Sequence, residues 1–414
     1  MSGIIFSLIC LLANSLLFPC TGFFAVSGQR LLFAHNEDYH WTDSAVRIRP
    51  PANGNHGYLY VGFMRLDGAF GGINDSGLVL DSFSNPECNW REDPGKVYFS
   101  GDWFQHLLRT CITVEEVADF CRSYNLPYFR HNHLFGADRH GNSIVVEWGG
   151  EKVEVIRKQG DFQVVTNFFL LHPEWGWHPC WRYDAATEML NENNEITVEL
   201  CRSILDAVHV NTTQYSNIYE VLQGNMIHFN HHNFEEFIKF NLTAEMARGP
   251  SNYLISDFMS NLDLKLPEDG LLVDHSLVEC TWRGKPDSQY RFHYSVNPDF
   301  SGETIIEIAG SLANAGSGIP AIAFLMGVLP LGFKLRKKKM IGILMLLPLV
   351  LLTSGCDNLD EESHGLIQDF SVELENLEPN TTYYWKITAA AGESLTSQSI
   401  TRSFTTRGNG AVSE

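Results

Sequence analysis

Cys20 is the residue whose type and position suggest chemistry most directly. An amide hydrolase that uses no metal needs a nucleophile, a base to take its proton, and donors aimed at the oxyanion that develops on the carbonyl. A cysteine at the start of a chain supplies the first two. Its α-amine titrates at about 7.7 to 8.0 when unperturbed and lies within one residue of its own thiol. Cys20 reaches that state if residues 1–19 are removed. Ile4 to Leu12 form an apolar run resembling the core of a secretory signal, too brief to span a bilayer and without the usual basic flank. Ala13-Asn14-Ser15 fits the small-x-small cleavage rule, whereas Leu17 and Pro19 fit it poorly. Leu16 to Pro19 are therefore read as a pro-segment left for a second cut.

Other chemistries find less support. The formal charge of −20 argues against a phosphate-tracking surface, and nucleic acid is set aside. Nine dispersed cysteines with no CxxC pair indicate neither a zinc nor a dithiol redox site; most are expected to be buried thiols. His131-Asn132-His133 and His228 to His232 lack an adjoining carboxylate or cysteine pattern and read as surface or substrate-loop residues, so neither metal nor cofactor is expected. Trp175, Trp177 and Trp181 are open between lining an acyl pocket and packing or anchoring a loop.

The elements that must position Cys20 follow from periodicity. Strands are expected over Thr21 to Ala25, Gln29 to Asn36, Tyr58 to Met64 and Leu78 to Phe83. Thr113-Val114-Glu115-Glu116 has the capping-box form and starts a helix running to about Tyr124. Ser143 to Trp148, Val153 to Arg157 and Phe162 to Thr166 read as an antiparallel meander, followed by helices over Tyr183 to Leu190 and Val198 to Val208. Strand sets interleaved with helix sets imply layered α+β packing rather than a doubly wound parallel sheet.

Several motifs in order carry a resemblance. They are Cys20-Thr21-Gly22-Phe23, Ala34-His35-Asn36-Glu37-Asp38, Gly72-Ile73-Asn74-Asp75-Ser76-Gly77-Leu78, Gly136-Ala137-Asp138-Arg139-His140-Gly141-Asn142, Val164-Val165-Thr166-Asn167 and Trp181-Arg182-Tyr183. In this register the chain resembles the choloylglycine hydrolase and linear-amide C–N hydrolase family of N-terminal-nucleophile (Ntn) hydrolases. That group is related to penicillin V acylase and the acyl-coenzyme A:6-aminopenicillanate acyltransferases. The resemblance implies a four-layer αββα sandwich and a small-molecule N-acyl amide as substrate. It also implies Cys20 as nucleophile, Asp38 as the residue orienting its amine and thiol, Asn167 as an oxyanion donor and Arg182 as the holder of the polar network. A second oxyanion donor would come from Ser84 or Asn85, with Asn85 favoured. One departure stands out: His35 occupies the place where the family usually carries arginine, which removes a fixed charge and its forked donors.

Residues 1–19 are thus signal and pro-segment, and 20–305 are assigned to the hydrolase domain, with the resemblance clear from Cys20 to Tyr183 and beyond that carried only by length. Residues 306–339 read as linker and membrane anchor: the apolar run Ile319 to Phe333 precedes the basic stretch Lys334 to Lys339, which is expected to stay cytoplasmic. Residues 340–356 look like a lipoprotein signal ending at Cys356. Within 357–414, Leu377 to Ile387 resembles the tyrosine-corner strand of a fibronectin type III module, with too few residues for a complete sandwich. The expected product is an exported, membrane-anchored, cell-surface or periplasmic enzyme, with homo-oligomerisation left open. A dipeptidase-like Ntn peptidase and a catalytically idle surface protein on the same scaffold are the alternatives.

Overall fold

The computed structural model describes residues 20–309, 367–391 and 395–408. In chain order the first part contains β1 (Thr21–Ser27), β2 (Arg30–Asp38), β3 (Ser44–Arg49), β4 (Tyr58–Phe63), β5 (Gly71–Asn74), β6 (Val79–Ser84), α1 (Trp103–Thr110), α2 (Val114–Ser123), β7 (Asn132–Ala137), β8 (Ser143–Trp148), β9 (Val153–Arg157), β10 (Phe162–Val165), α3 (Trp181–Glu192), α4 (Val198–Ala207), β11 (Thr213–Glu220), β12 (Asn225–Asn230), β13 (Glu236–Asn241), α5 (Leu242–Arg248) and β14 (Ser251–Leu254). One antiparallel sheet runs β10-β1-β2-β11-β12-β13 and a second runs β14-β3-β4-β5-β6-β7-β8-β9.

Alternation along these strands builds three apolar layers. Phe24, Phe33, Val46, Ile48, Val61, Val79, Phe83 and Val145 fill the space between the sheets. Ile144, Val146 and Trp148 point the other way, onto Leu107 and Leu108 of α1 and Val114, Val117, Ala118 and Cys121 of α2. Phe23, Ala25, Leu32 and Ala34 of the first sheet face Ala186 and Leu190 of α3 and Cys201, Ile204 and Leu205 of α4. The result is the expected αββα sandwich. Burying each large apolar side chain in these layers contributes about 1.5–3 kcal/mol.

The capping box forms: the Thr113 hydroxyl accepts the Glu116 N–H, and the Glu116 carboxylate accepts the Thr113 N–H at 3.0 Å. The expected meander is corrected at its third strand. β8 and β9 pair, but β10 leaves their sheet and pairs with β1, placing Val165 opposite Gly22. Hydrophobic period identifies a strand but not its partner.

The later strands correct the domain boundaries as well. β15 (Asp263–Leu266), β16 (Leu271–Val273), β17 (Leu277–Gly284), β18 (Gln289–Ser295) and β19 (Thr304–Ala309) combine with β20 (Gln368–Glu375), β21 (Thr382–Ala391), β22 (Leu395–Ser399) and β23 (Arg402–Thr406). One sheet is β15-β17-β20, the other carries β19-β18-β21 with β22 and β23 beside β21, and β16 pairs with β23. Trp282, Phe292, Phe370, Trp385 and Phe404 fill the core between them. Tyr383 Oη accepts the Glu378 N–H at 3.0 Å, the hydrogen bond of a tyrosine corner. The C-terminal residues are therefore no isolated fragment, since residues 263–309 supply the missing half, and the αββα part gives way to the sandwich at about Asp263 rather than at residue 305. β22 also extends the first αββα sheet, with Ile238 opposite Ser397.

Among the described residues no helix is long and apolar enough to cross a membrane. Residues 1–19, the runs 319–333 and 340–354, and Cys356 lie outside the described residues. Of the thiols, Cys111, Cys121, Cys180, Cys201 and Cys280 are buried and Cys88 is half-buried.

Candidate active site

Cys20 immediately precedes β1 and is 3% exposed. β1 and β2 form a hairpin that turns at Gly28, whose φ of 59° suits glycine, and their register sets Thr21 opposite Asn36 and Gly22 opposite His35. Cys20 thus sits across from Glu37, with Sγ 3.9 Å from Oε1. Along β2, Leu31 and Phe33 face the space between the sheets, so His35 and Glu37 follow them there. Leu32 and Ala34 face the helices, as do Asn36, whose amide donates to the Leu205 carbonyl at 2.8 Å, and Asp38.

Arg182, in the first turn of α3 and 5% exposed, ties the strand ends together. Its Nη1 donates to the Cys20 carbonyl at 2.5 Å and to Thr21 Oγ1 at 2.6 Å, and its Nη2 donates to Asn167 Oδ1 at 3.2 Å. Asn167 lies just beyond β10, which β1 holds in register, and its Nδ2 donates to the Ser84 carbonyl at 2.9 Å. Asn85 comes next; it is buried, and neither its side-chain nitrogen nor its oxygen has a hydrogen-bond partner. Cys20, Arg182, Asn167 and Asn85 thereby form one contiguous line. Asp38 joins it through its backbone N–H, which stabilises a thiolate at Cys20, while its carboxylate accepts from the Thr213 hydroxyl.

His35 and Glu37 meet a residue that sequence reasoning missed, Asp81 of β6. His35 Nε2 lies 3.6 Å from Glu37 Oε2 and its Nδ1 lies 3.1 Å from Asp81 Oδ2. Both spacings fall within ion-pair distance, yet neither has hydrogen-bond geometry, and all four atoms are unpartnered. Gly71 makes room for Asp81, because a Cβ there would stand 2.5 Å from its Oδ2. The alternation of Val79 and Phe83 was the signal that could have placed Asp81 between the sheets.

Burial governs the electrostatics. It pushes the Cys20 thiol well above its ordinary value, assisted by the Glu37, Asp38 and Asp81 charges and opposed by the Asp38 N–H. It raises Glu37 and Asp81 far above the carboxylate range and lifts Asp38 to about 8, against the Thr213 hydrogen bond and the Arg182 charge. Burial also lowers His35 to about 3, so its ring is neutral. The imidazole therefore does not carry the positive charge that an arginine would bring to this position.

Two histidine expectations need correction. His133 is buried in β7, where Nδ1 faces Glu147 Oε2 at 3.2 Å and Nε2 donates to the Thr166 carbonyl at 2.7 Å. His228 is buried in β12 with Nδ1 2.8 Å from Asn217 Oδ1. Both lie on strands that read as loops because polar residues flank them. Trp175, Trp177 and Trp181 are all exposed, and Trp175 stacks on His172.

Residues 26–227 match the family model of acyl-coenzyme A:6-aminopenicillanic acid acyl-transferase, a span that includes Asp38, Asn85, Asn167 and Arg182 and begins just beyond Cys20. No curated protein matches the chain. Similar solved structures include a conjugated bile acid hydrolase from Clostridium perfringens, 18% identical with a TM-score of 0.46, covering 56% of this chain and 96% of that one. The N-acylethanolamine-hydrolyzing acid amidase ortholog of Caenorhabditis elegans is 16% identical with a TM-score of 0.40, covering 57% and 99%. Penicillin V acylase from Agrobacterium tumefaciens is 16% identical with a TM-score of 0.42, covering 51% and 83%.

Proposed function

Because residues 26–227 belong to the acyl-coenzyme A:6-aminopenicillanic acid acyl-transferase family, we propose that the chain is a cysteine amidase of the Ntn type that hydrolyses linear, non-peptide amides of N-acyl substrates. The observation that carries this reading is the Arg182 clasp, in which one guanidinium binds the Cys20 carbonyl, the Thr21 hydroxyl and the Asn167 amide oxygen. Such a fork fixes the nucleophile's backbone relative to an oxyanion donor.

The reaction begins when the Cys20 α-amine, exposed by loss of residues 1–19, takes the thiol proton. The thiolate attacks the amide carbonyl, and side-chain amides stabilise the oxyanion. Asn85 is the readier donor, since its amide has no partner, whereas Asn167 Nδ2 must release the Ser84 carbonyl to reach a substrate. The amine leaves with the proton, and water then cleaves the thioester. The enzyme acts outside the cell, at the surface or in the periplasm, in keeping with the apolar run Ile4 to Leu12.

Mass analysis of the mature N-terminus together with labelling by a thiol-directed acyl probe tests this. A chain that starts at Cys20, is labelled there and releases amines from N-acyl amino acids bears it out. A chain that retains residues before Cys20, or a Cys20→Ala variant as active as the wild type, overturns it. The neutral His35 ring favours a second reading, an idle scaffold, which predicts no labelling.

A further inference from the structure

We propose that Cys20 Sγ, His35 Nε2 and the Glu37 carboxylate form a binding site for one Zn2+ ion, with Asp81 orienting the histidine. The three ligand atoms all lie within 4.8 Å of one another and all three residues are buried. Tetrahedral zinc with bonds near 2.3 Å to sulfur and 2.0–2.1 Å to nitrogen or oxygen sets its ligands roughly 3.3–3.6 Å apart. Glu37 Oε1 lies 3.9 Å from Cys20 Sγ and Glu37 Oε2 lies 3.6 Å from His35 Nε2, so the carboxylate reaches both partners at spacings a few tenths of an ångström from that range, and a small turn brings one oxygen to the ion.

A second observation points the same way. Both ring nitrogens of His35, Glu37 Oε2 and Asp81 Oδ2 are buried without a hydrogen-bond partner, on side chains no more than 3% exposed. Buried polar atoms are normally satisfied, and four orphans at one point are costly unless something binds them. A cation at Nε2 satisfies two of the four directly. It also sets the tautomer, leaving the proton on Nδ1, and a small turn of the ring lets it donate to Asp81 Oδ2, 3.1 Å away, the carboxylate–histidine–metal arrangement that orients a ligand ring.

The donor set selects the ion. One sulfur, one imidazole and one carboxylate suit zinc, whereas magnesium and calcium seek oxygen alone. The ligands stand on strands rather than loops: His35 and Glu37 alternate along β2, and Cys20 adjoins β1 directly across from Glu37. On binding, the Cys20 S–H bond and the Glu37 carboxyl O–H bond break, both protons pass to solvent, and sulfur–zinc and oxygen–zinc bonds form beside the His35 nitrogen, with water in the fourth position. The thiolate and carboxylate balance the ion's two charges. While the metal is bound, the sulfur cannot attack a carbonyl, so the site acts as a reversible cap on the nucleophile. Only the sulfur of Cys20 is used, so binding does not depend on a free α-amine.

The full chain is stripped with a chelator, dialysed against ZnCl2 and assayed for metal, with Co2+ titration as a spectroscopic counterpart. About one equivalent of zinc and a thiolate-to-cobalt charge-transfer band in the near ultraviolet are expected. Asp81→Asn should weaken binding by about 10–100-fold and Glu37→Gln, which removes a ligand, by at least as much; zinc should raise the melting temperature of the wild type but not of Cys20→Ala. Absence of the thiolate band, or zinc binding that Cys20→Ala and Glu37→Gln leave unchanged, overturns the proposal. Acyl-probe labelling of metal-free, processed chain is scored separately: labelling without zinc binding removes the metal site alone, and zinc binding without labelling removes the amidase reading alone.

Discussion

Asp38→Asn is the perturbation for which the structure specifies the sharpest outcome. Burial lifts this carboxyl from an ordinary value of 3.8 to about 8, with the Thr213 hydroxyl and the Arg182 charge only partly opposing it. Between those values the folded chain keeps a proton that the unfolded chain has lost, so stability falls as pH rises. The slope is about 1.4 kcal/mol per pH unit for one such group, and the accumulated cost at pH 7 is about 4 kcal/mol. Buried histidines act in the opposite sense at lower pH: His35 and His228, lowered to about 3, favour the fold as pH rises towards their unfolded value. The cleaner window is therefore about pH 7 to 7.5, above the unfolded histidine value of about 6.5, where both rings are mostly neutral in either state. Glu37 and Asp81, also raised by burial, keep the wild-type slope negative there. Asparagine retains the oxygen that accepts from Thr213 but cannot ionise. Asp38→Asn should therefore lose about 1 kcal/mol per pH unit of slope across the window, match or exceed the wild type in stability at its upper end, and lose catalysis. Urea unfolding followed by tryptophan fluorescence at several pH values reads this. A wild type whose stability is flat or rises across the window, or a variant with an unchanged slope, refutes the reasoning.

Other substitutions probe separate links. Gly71→Ala places a Cβ 2.5 Å from Asp81 Oδ2 and should cost about 1–3 kcal/mol, visible as a lowered urea midpoint. Arg182→Lys keeps the charge but loses the fork joining Cys20, Thr21 and Asn167; a fall in kcat of at least about tenfold with a smaller change in KM is expected from steady-state kinetics. Glu147→Gln leaves the Leu170 and Leu171 N–H groups and His133 without their shared carboxylate and should destabilise the chain by about 1–3 kcal/mol, measured by thermal melting. Trp385→Ala should cost the sandwich about 3–5 kcal/mol and render residues 263–309 sensitive to protease, while the region around Cys20 stays protected from hydrogen exchange.

The fold was legible where local pattern carried it. The β1–β2 hairpin, the Thr113 capping box and most of the helix that begins at Trp181 follow from period and end signals, whereas Cys20, Asp38, Asn167, Arg182 and Asn85 were named through the family resemblance and lie close together in the fold. What stayed hidden depends on partners distant in sequence. Glu37 and Asp81 read as ordinary strand acids until the two sheets are stacked and both prove to face inward towards His35. His133 looked exposed because a loop precedes it, whereas its ring is fixed by Glu147 and the Thr166 carbonyl in elements that follow. The sandwich was the largest omission. Its tyrosine-corner strand was recognisable, but strand pairing of β17 with β20 and of β18 with β21 crosses a long intervening segment that no local period can bridge.

That crossing bears on synthesis. Every strand of the αββα sandwich except the appended edge β22 has been made by Leu254, whereas 58 residues separate Ala309 from Gln368 and Phe404, in the core of the second unit, comes later still. Domains fold as units while the chain is being made. The hydrolase part can therefore assemble around Cys20 while Trp282 and Phe292 still wait for Phe370 and Trp385. A molecule cut short between Ala309 and Gln368 would keep the strands around Cys20 but expose an unmatched apolar face, open to proteolysis.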